Sequence, residues 1–187
     1  MRIRVVLAAL ALFAAGCDRP ASSGETGGAD APQLDAPAPD SEPSRVFAAS
    51  NDAARNATGE LTMSIAMRLP EENADMQEVL TLRGANGLTI EATIFGVVSP
   101  ATQVQGQTLR ALLGIPVEEP QVLVYRVSQE TKPASGQGAC GADAADYVVV
   151  WEPSGPGEPV LKVLGVRGAA PGASEARGCT LLEYRRS

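Results

Sequence analysis

The 187-residue chain has no histidine, and aromatic residues make up only 4% of it. The missing imidazole removes the commonest general base, the usual hydrolase triads and most transition-metal sites. Ser-x-x-Lys does not occur, and the acidic pairs Glu71-Glu72 and Glu118-Glu119 beside proline are typical of solvated turns rather than of a glycosidase site. The sequence therefore predicts a protein that is not an enzyme.

Metal-binding and phosphate-binding patterns are also missing. Asp143 and Asp146 lie near Gly141, but they lack the alternating acids and terminal glutamate of a calcium loop. The glycine-rich stretch 165–172 has no Lys-Ser/Thr ending and opens no evident helix, as a phosphate loop would. Turn chemistry explains both segments, and we predict neither a metal nor a cofactor.

Positive charge is scarce, since 15 Lys and Arg residues face 22 Asp and Glu residues and the net charge is −7. Such a surface repels nucleic acid. Four arginines near the C-terminus indicate a solvated end rather than a basic patch: Arg167, Arg177, Arg185 and Arg186. An acidic surface would attract a basic enzyme, so an inhibitor of a hydrolase such as lysozyme is one alternative function.

The one long apolar run lies at the N-terminus. Arg2 and Arg4 precede an unbroken apolar stretch from Val5 to Ala15. A helix of that length would rise about 16 Å, roughly half the thickness of a hydrocarbon core. This pattern is typical of a cleaved signal peptide, and we assign residues 1–16 to it.

The run ends in Ala14-Ala15-Gly16-Cys17, which resembles the lipobox where signal peptidase II cuts bacterial prolipoproteins. The resemblance covers about the first eighteen residues and departs from the usual leucine at Ala14. It implies that Cys17 becomes an acylated, lipidated N-terminus anchored in a membrane and facing the periplasm. Asp18 resembles an inner-membrane retention signal, with the outer membrane as the alternative. If an ordinary peptidase cuts nearby instead, Cys17 is left free or removed.

Two cysteines, Cys140 and Cys179, remain after Cys17. In an exported protein such a pair predicts one disulfide. The chain has no Cys-x-x-Cys, and two thiols without histidine make a poor zinc site. We therefore expect a structural crosslink.

Residues 17–45 are predicted to be a disordered linker behind the lipidated cysteine. Up to Ser44 they are rich in Pro, Ala, Ser, Gly and acids, with Leu34 as the one large apolar side chain. Such a segment cannot bury enough surface to offset the entropy of ordering itself. Its typical reach is about 30 Å.

Residues 46–187 have the composition of a single β-rich domain. The clearest strand is 61–69, where Leu61, Met63, Ile65, Met67 and Leu69 alternate with smaller or polar residues. Six further strand-like runs cover 78–83, 88–98, 122–127, 147–151, 160–166 and 180–184. Short connections, such as Asn86-Gly87, predict a mostly β, antiparallel meander, sandwich or small barrel. The segment 108–113 is open between strand and short helix.

The C-terminal third places one cysteine before a predicted hairpin and the other before the last strand. This spacing is similar to small disulfide-containing lipoproteins, including the β-barrel domain of bacterial membrane-bound lysozyme inhibitors. Their inhibitory motif has no residue-by-residue match here, so no functional residue is implied. Trp151, Tyr125, Tyr147 and Tyr184 fall inside strand-like runs and indicate core packing. We expect a non-catalytic binding or accessory module whose partners are the membrane, through its lipid, and an envelope protein or polymer.

Overall fold

The computed structural model describes residues 42–69, 75–134, 136–153 and 159–187. The predicted signal peptide, Cys17 and nearly all of the predicted linker lie outside these residues. The elements within them are β1 (Arg45–Ala49), α1 (Asp52–Ala57), β2 (Leu61–Arg68), β3 (Gln77–Gly84), β4 (Thr89–Val98), β5 (Gln103–Val104), β6 (Gln107–Thr108), α2 (Leu109–Leu113), β7 (Val122–Thr131), β8 (Tyr147–Trp151), β9 (Val160–Arg167) and β10 (Arg177–Arg186). Within the described part of the chain, neither helix is long and apolar enough to cross a membrane.

Eight of the strands form a closed barrel in the order β1-β10-β9-β8-β7-β4-β3-β2, and each neighbouring pair is antiparallel. The short strand β1 completes it, because Phe47 pairs with Leu61 of β2 on one side and with Arg186 of β10 on the other. The predicted mostly β, antiparallel fold is confirmed. Of the three architectures expected from the sequence, the chain adopts the barrel.

The barrel interior is packed with side chains. An eight-stranded barrel is just wide enough for inward-facing residues to fill it. In β2 the predicted apolar face is inside, with Leu61 and Met63 buried and Ile65 half-buried, whereas Leu69, directly after the strand, is 62% exposed. The largest fully buried residues of this core are Phe47, Leu61, Met63, Leu80, Leu88, Ile90, Tyr125, Leu161 and Tyr184. Burial along β2 therefore decreases toward one end of the barrel.

Helix α1 packs on the other end, which we call the covered end. Asn51 begins the helix by accepting a hydrogen bond from the Ala54 amide over 2.8 Å. Ala54 and Ala57 are buried against the barrel core. The hydroxyls of Thr58 and Tyr184 lie 2.9 Å apart. This six-residue helix is too short to produce the apolar periodicity by which helices are predicted.

A second core lies outside the barrel, under the segment that joins β4 to β7. The segment 108–113 contains α2, which Thr108 caps at its start and Gly114, in the left-handed conformation, ends. Leu109 and Leu113 pack with Val149 and Leu164 on the outer face of the barrel. Strands β8 and β9 are thus covered on both faces, which explains their nearly continuous apolar sequences.

The disulfide joins Cys140 to Cys179 with a Cα–Cα distance of 5.1 Å, within the usual range. Cys140 precedes β8 and Cys179 lies near the start of β10, so the predicted pairing and its place are confirmed. The Glu130 carboxylate accepts hydrogen bonds from the amides of Ala139 (3.0 Å) and Ala145 (2.8 Å). These bonds fix the loop that carries Cys140.

Two glycines with positive φ differ in the space available for a Cβ atom, so replacing each by alanine distinguishes backbone strain from steric overlap. Gly87, in the confirmed turn between β3 and β4, has φ +98° and open space where a Cβ would lie, whereas Gly168 has φ +84° and would place a Cβ 2.6 Å from the Glu175 carbonyl oxygen. We expect Gly87→Ala to lower the free energy of unfolding by about 1 to 2 kcal/mol. Gly168→Ala should lower it by a further amount of about 1 to 3 kcal/mol, the cost of overpacking. Urea unfolding of both variants measures the difference, and equal losses would contradict the steric explanation.

Candidate binding site at the open end of the barrel

The end of the barrel opposite α1 contains a cavity of about 160 Å³. At this end β1 and β3 begin and β2 and β8 end. Apolar side chains from four strands line the cavity: Met63, Ile65, Leu80, Leu123 and Val150. Gln121, Val122, Tyr125, Trp151 and Glu152 complete its wall. We call this cavity and its lining residues the barrel mouth.

The size of the mouth limits what can enter it. An apolar cavity of about 150 Å³ holds one benzene molecule, whereas sites for drug-sized ligands occupy about 300 to 1,000 Å³. Phe47, Met63 and Tyr125 fill the barrel below and beside the mouth, so the cavity does not extend into a long channel. The mouth therefore fits one branched aliphatic or phenyl group, and not a whole lipid chain.

An ion pair bridges the opening from β1 to the end of β8. Arg45 Nη1 donates to both carboxylate oxygens of Glu152, at 2.9 and 2.7 Å. Strands β9 and β10 lie between β1 and β8 in the barrel, so the pair spans the opening instead of linking adjacent strands. The Arg45 guanidinium also lies 5.9 Å from the centre of the Phe47 ring, within cation–π range. This pair closes one side of the mouth above the core.

A second polar bridge crosses from β7 to β3. The Tyr125 hydroxyl donates to Glu78 Oε1 over 2.6 Å, past the intervening strand β4. Burial raises the pKa of Tyr125 far above its usual value, and the hydrogen bond to Glu78 and the charges of Glu78 and Glu42 raise it further. Tyr125 is consequently a neutral hydrogen-bond donor, and the carboxylates of Glu42 and Glu78 both lie within electrostatic reach of it.

Burial of tyrosines predicts a loss of stability at high pH. Burial raises the pKa of Tyr184 to about 12, although its hydrogen bond with Thr58 opposes the shift. Below pH 10 the Tyr184 hydroxyl keeps its proton in both the folded and the unfolded protein. Between pH 10 and 12 only the unfolded protein releases it, so the free energy of unfolding falls by up to about 1.4 kcal/mol for each pH unit. Urea unfolding at pH 9 to 12 should therefore show a shallower decline for Tyr184→Phe than for the parent chain. An identical decline would contradict the assignment.

Trp151, the single tryptophan of the chain, lines the mouth at the end of β8. It is 7% exposed, and its indole Nε1 has no hydrogen-bond partner among the described residues. The ammonium of Lys162 lies 5.7 Å from the ring centre and donates to the Leu113 carbonyl over 2.7 Å. Trp151 packs in the second core outside the barrel, with Val149 and Leu164, whereas Val148 and Val150 belong to the barrel core. Its unpaired indole N–H, which costs about 1 to 3 kcal/mol, therefore lies on the outer face of β8 and not in the mouth.

The residues considered as catalytic or calcium-binding candidates lie elsewhere. Asp143 forms an ion pair with Arg167, and Asp146 accepts a hydrogen bond from the Gly168 amide over 2.7 Å. Both acids therefore stabilise the local loop structure. Glu118 and Glu119 follow α2 in the loop before β7, whereas Glu71 and Glu72 lie outside the described residues. No group of three potential metal ligands occurs in the described ranges.

The four C-terminal arginines do not form a single patch. Arg167 and Arg177 are cross-strand partners near the start of β10. Arg185 and Arg186 lie at its other end, next to β1. The predicted strand positions of the aromatic residues are confirmed, since Trp151, Tyr125 and Tyr184 are buried and Tyr147 is half-buried.

A larger cleft of about 240 Å³ lies between α1 and the loop that carries Cys140. Small residues form most of its wall, and the exposed side chains of Asn56, Gln137 and Thr180 line it. Its wall carries exposed polar side chains, whereas the mouth is lined mainly by apolar side chains beneath two polar bridges. The mouth is therefore the stronger candidate for a specific site.

Sequence reasoning did not identify the mouth, because its residues are widely separated in the chain. Arg45 and Glu152 are 107 positions apart, and Glu78 and Tyr125 are 47 apart. The one available signal is the presence of charged residues at inward-facing positions near strand ends. Comparison with protein-family models, with curated proteins and with solved structures found no match.

Proposed function

We propose that the chain is a lipid-anchored protein of the bacterial cell envelope, and that its barrel is a non-catalytic binding module with the mouth as its site. The observation that supports a binding function is the mouth, an apolar cavity beneath polar bridges at one end of a packed barrel. Barrel mouths are common places for ligand sites. The Cys140–Cys179 disulfide suits an oxidising compartment, and the lipobox at Cys17 supplies the anchor.

Mass spectrometry of the mature N-terminus tests the anchor. After membrane extraction we expect a chain that begins at Cys17 and carries a diacylglyceryl group and an acylated amine. The variant Cys17→Ser should lack the diacylglyceryl group, because it has no thiol to carry it. An intact leader, or a parent chain that begins elsewhere and is soluble, would contradict the proposal.

The polar groups of the mouth support binding rather than catalysis. Glu152 is engaged by Arg45, and Glu78 by the Tyr125 hydroxyl. The described mouth therefore presents no nucleophile beside a free base, which the common hydrolytic mechanisms need. A screen for hydrolysis, repeated on variants of the mouth carboxylates, would overturn this view if an activity appeared and depended on one of them.

Site-specific photo-crosslinking in intact envelopes tests the mouth as the binding site. The crosslinking residue replaces Gln121, which is exposed and lines the mouth. Its matched control replaces Gln129, which is exposed near the far end of β7. We expect a discrete adduct at position 121 that Leu123→Phe suppresses, because the larger ring occupies the cavity. Equal adducts at both positions would contradict the assignment.

Inhibition of a basic hydrolase is the second candidate, and the acidic surplus of the chain favours it. Asp75 and Glu118 are exposed acids in loops at the open end. A cell-wall lysis assay with a basic lysozyme tests this function directly. Inhibition by the parent chain that Leu123→Phe leaves unchanged would place the inhibitory surface away from the mouth.

A further inference from the structure

One side chain fastens the turn between β3 and β4 to the end of helix α1. Asn86 Nδ2 donates to the Ala57 carbonyl over 2.7 Å, and Asn86 Oδ1 accepts a hydrogen bond from the Leu88 amide over 3.0 Å. Ala57 is the last residue of α1, so its carbonyl has no partner within the helix. The Asn86 side chain therefore satisfies a helix end and orders the turn at the same time.

The same side chain belongs to the one Asn-Gly pair of the sequence, Asn86-Gly87. Asparagine before glycine is prone to deamidation, because no side chain hinders the glycine nitrogen. That nitrogen attacks Asn86 Cγ and bonds to it, the Cγ–Nδ2 bond breaks, and ammonia leaves with the amide proton of Gly87. Water then opens the cyclic imide, at Cγ to give aspartate or at the main-chain carbonyl carbon to give isoaspartate. Asn86 is exposed, so water reaches the turn.

Hydrogen bonds oppose this reaction in the folded chain. The Gly87 amide donates to the Gly84 carbonyl over 3.0 Å, so the attacking nitrogen is engaged. The two bonds of the Asn86 side chain hold its amide against Ala57 and Leu88. All of these bonds must break before Asn86 Cγ and the Gly87 nitrogen can react. Deamidation therefore requires local opening of the turn.

The products no longer fit the place that Asn86 occupies. An aspartate there has no N–H to donate to the Ala57 carbonyl, and its negative charge would face that oxygen at the C-terminal end of α1. Isoaspartate also lengthens the main chain by one carbon inside the turn, which the bond from the Gly84 amide to the Leu88 carbonyl closes over 2.8 Å. Either product removes the attachment of the turn to α1.

We propose that Asn86 is a deamidation site that the fold protects, and that its deamidation releases the β3–β4 turn from α1. Water is the only other reactant. A chain whose turn has once opened is converted to a form with a looser covered end, and refolding does not reverse the change. Because the covered end lies opposite the mouth, the proposed binding function stands or falls separately.

Peptide mass spectrometry measures the protection. The chain from residue 17 with Cys17→Ser is incubated at mildly alkaline pH, either folded or in guanidinium chloride. We expect the peptide that contains Asn86 to exchange its amide for a carboxyl group at least roughly 10-fold faster in guanidinium chloride. Asn56, which is exposed and precedes alanine, is the internal control and should react slowly in both solvents. Equal rates at Asn86, or no reaction in guanidinium chloride, would overturn the proposal.

Gly84→Ala tests the protecting contacts without altering the Asn-Gly pair. A Cβ at Gly84 would lie 2.8 Å from Asn86 Oδ1 and 2.9 Å from Thr58 Cβ, so it displaces the Asn86 side chain. We expect the folded variant to deamidate about 5- to 10-fold faster than the folded parent, as loss of one hydrogen bond implies. Its matched control, Gly106→Ala, adds a methyl group in open space at the β5–β6 turn and should leave the rate unchanged. Thermal unfolding confirms folding, and the parent rate in folded Gly84→Ala would overturn the proposal.

Asn86→Asp carries the aspartate product and tests the release of α1. The amides of Thr58 and Gly59 donate to the Ala54 carbonyl at the end of the helix, over 2.9 and 3.0 Å, and report on it. We expect their hydrogen exchange to be about 5- to 10-fold faster than in the parent chain. Asn56→Asp makes the same change of charge at an exposed position of α1 and should leave their exchange unchanged. Parent-like exchange in Asn86→Asp, or equal acceleration in both variants, would overturn the proposed release.

Discussion

Replacement of both Cys140 and Cys179 by alanine lowers the free energy of unfolding by about 4 kcal/mol in the chain-entropy account. The two residues are 39 positions apart, and the loop between them contains β8 and β9, which are adjacent strands of the barrel. Without the crosslink the unfolded chain gains the freedom of this whole loop. The barrel topology gives no other covalent connection between the loop before β8 and β10.

Urea unfolding of the parent chain, with and without reductant, measures the loss. The alanine pair and the reduced parent should agree to within about 1 kcal/mol, because both lack the same constraint. The slope of the unfolding curve should increase as well, since the uncrosslinked chain exposes more surface on unfolding. A loss below about 1 kcal/mol would show that the crosslink adds little to the stability of the barrel.

Phe47→Ala is expected to lower the free energy of unfolding by about 3 to 5 kcal/mol. Phe47 is fully buried in the barrel interior, and its strand pairs with both β2 and β10. Removal of the ring leaves a cavity that a closed barrel cannot collapse to fill, because its circumference is set by eight paired strands. The cation–π contact with Arg45 disappears in the same substitution.

Phe95→Ala is the matched control for this loss. Phe95 is 52% exposed and makes an edge contact with Tyr147, with 5.3 Å between ring centres. The same change in composition should therefore cost only about 1 kcal/mol or less. Thermal or urea unfolding of the two variants compares them, and similar losses would contradict the central role of Phe47 in the core.

Strands with a clear apolar pattern were predictable from the sequence. The seven runs found by composition and alternation each fall on a barrel strand, from β2 to β10. Strand β1 was missed because Arg45–Ala49 contains a single large fully buried side chain, Phe47. The hairpin of β5 and β6 was missed because two-residue strands carry no period. Local pattern fails where an element is stabilised mainly by its neighbours.

The disulfide was predictable without the structure, because the two cysteines of the domain allow one pairing within it. The mouth could not be predicted in this way. Its polar bridges join Arg45 to Glu152 and Tyr125 to Glu78, and each pair is brought together across intervening strands. A charged residue at a strand end is expected to be solvated until the register shows that it points inward.

The leader and anchor are predictions from the sequence and lie outside the described residues. Sequence alone determined the β class of the domain, the apolar face of β2 and the cysteine pair. Tertiary structure alone decided that the sheet closes, which end is covered by α1 and which residues meet at the other end. The physical reason is that the alternation of apolar and polar residues is a local property of the sequence. It indicates which side chains of a strand are buried. Closure and the mouth depend on pairings between residues far apart in the chain, such as Phe47 with Arg186, and no local pattern encodes them.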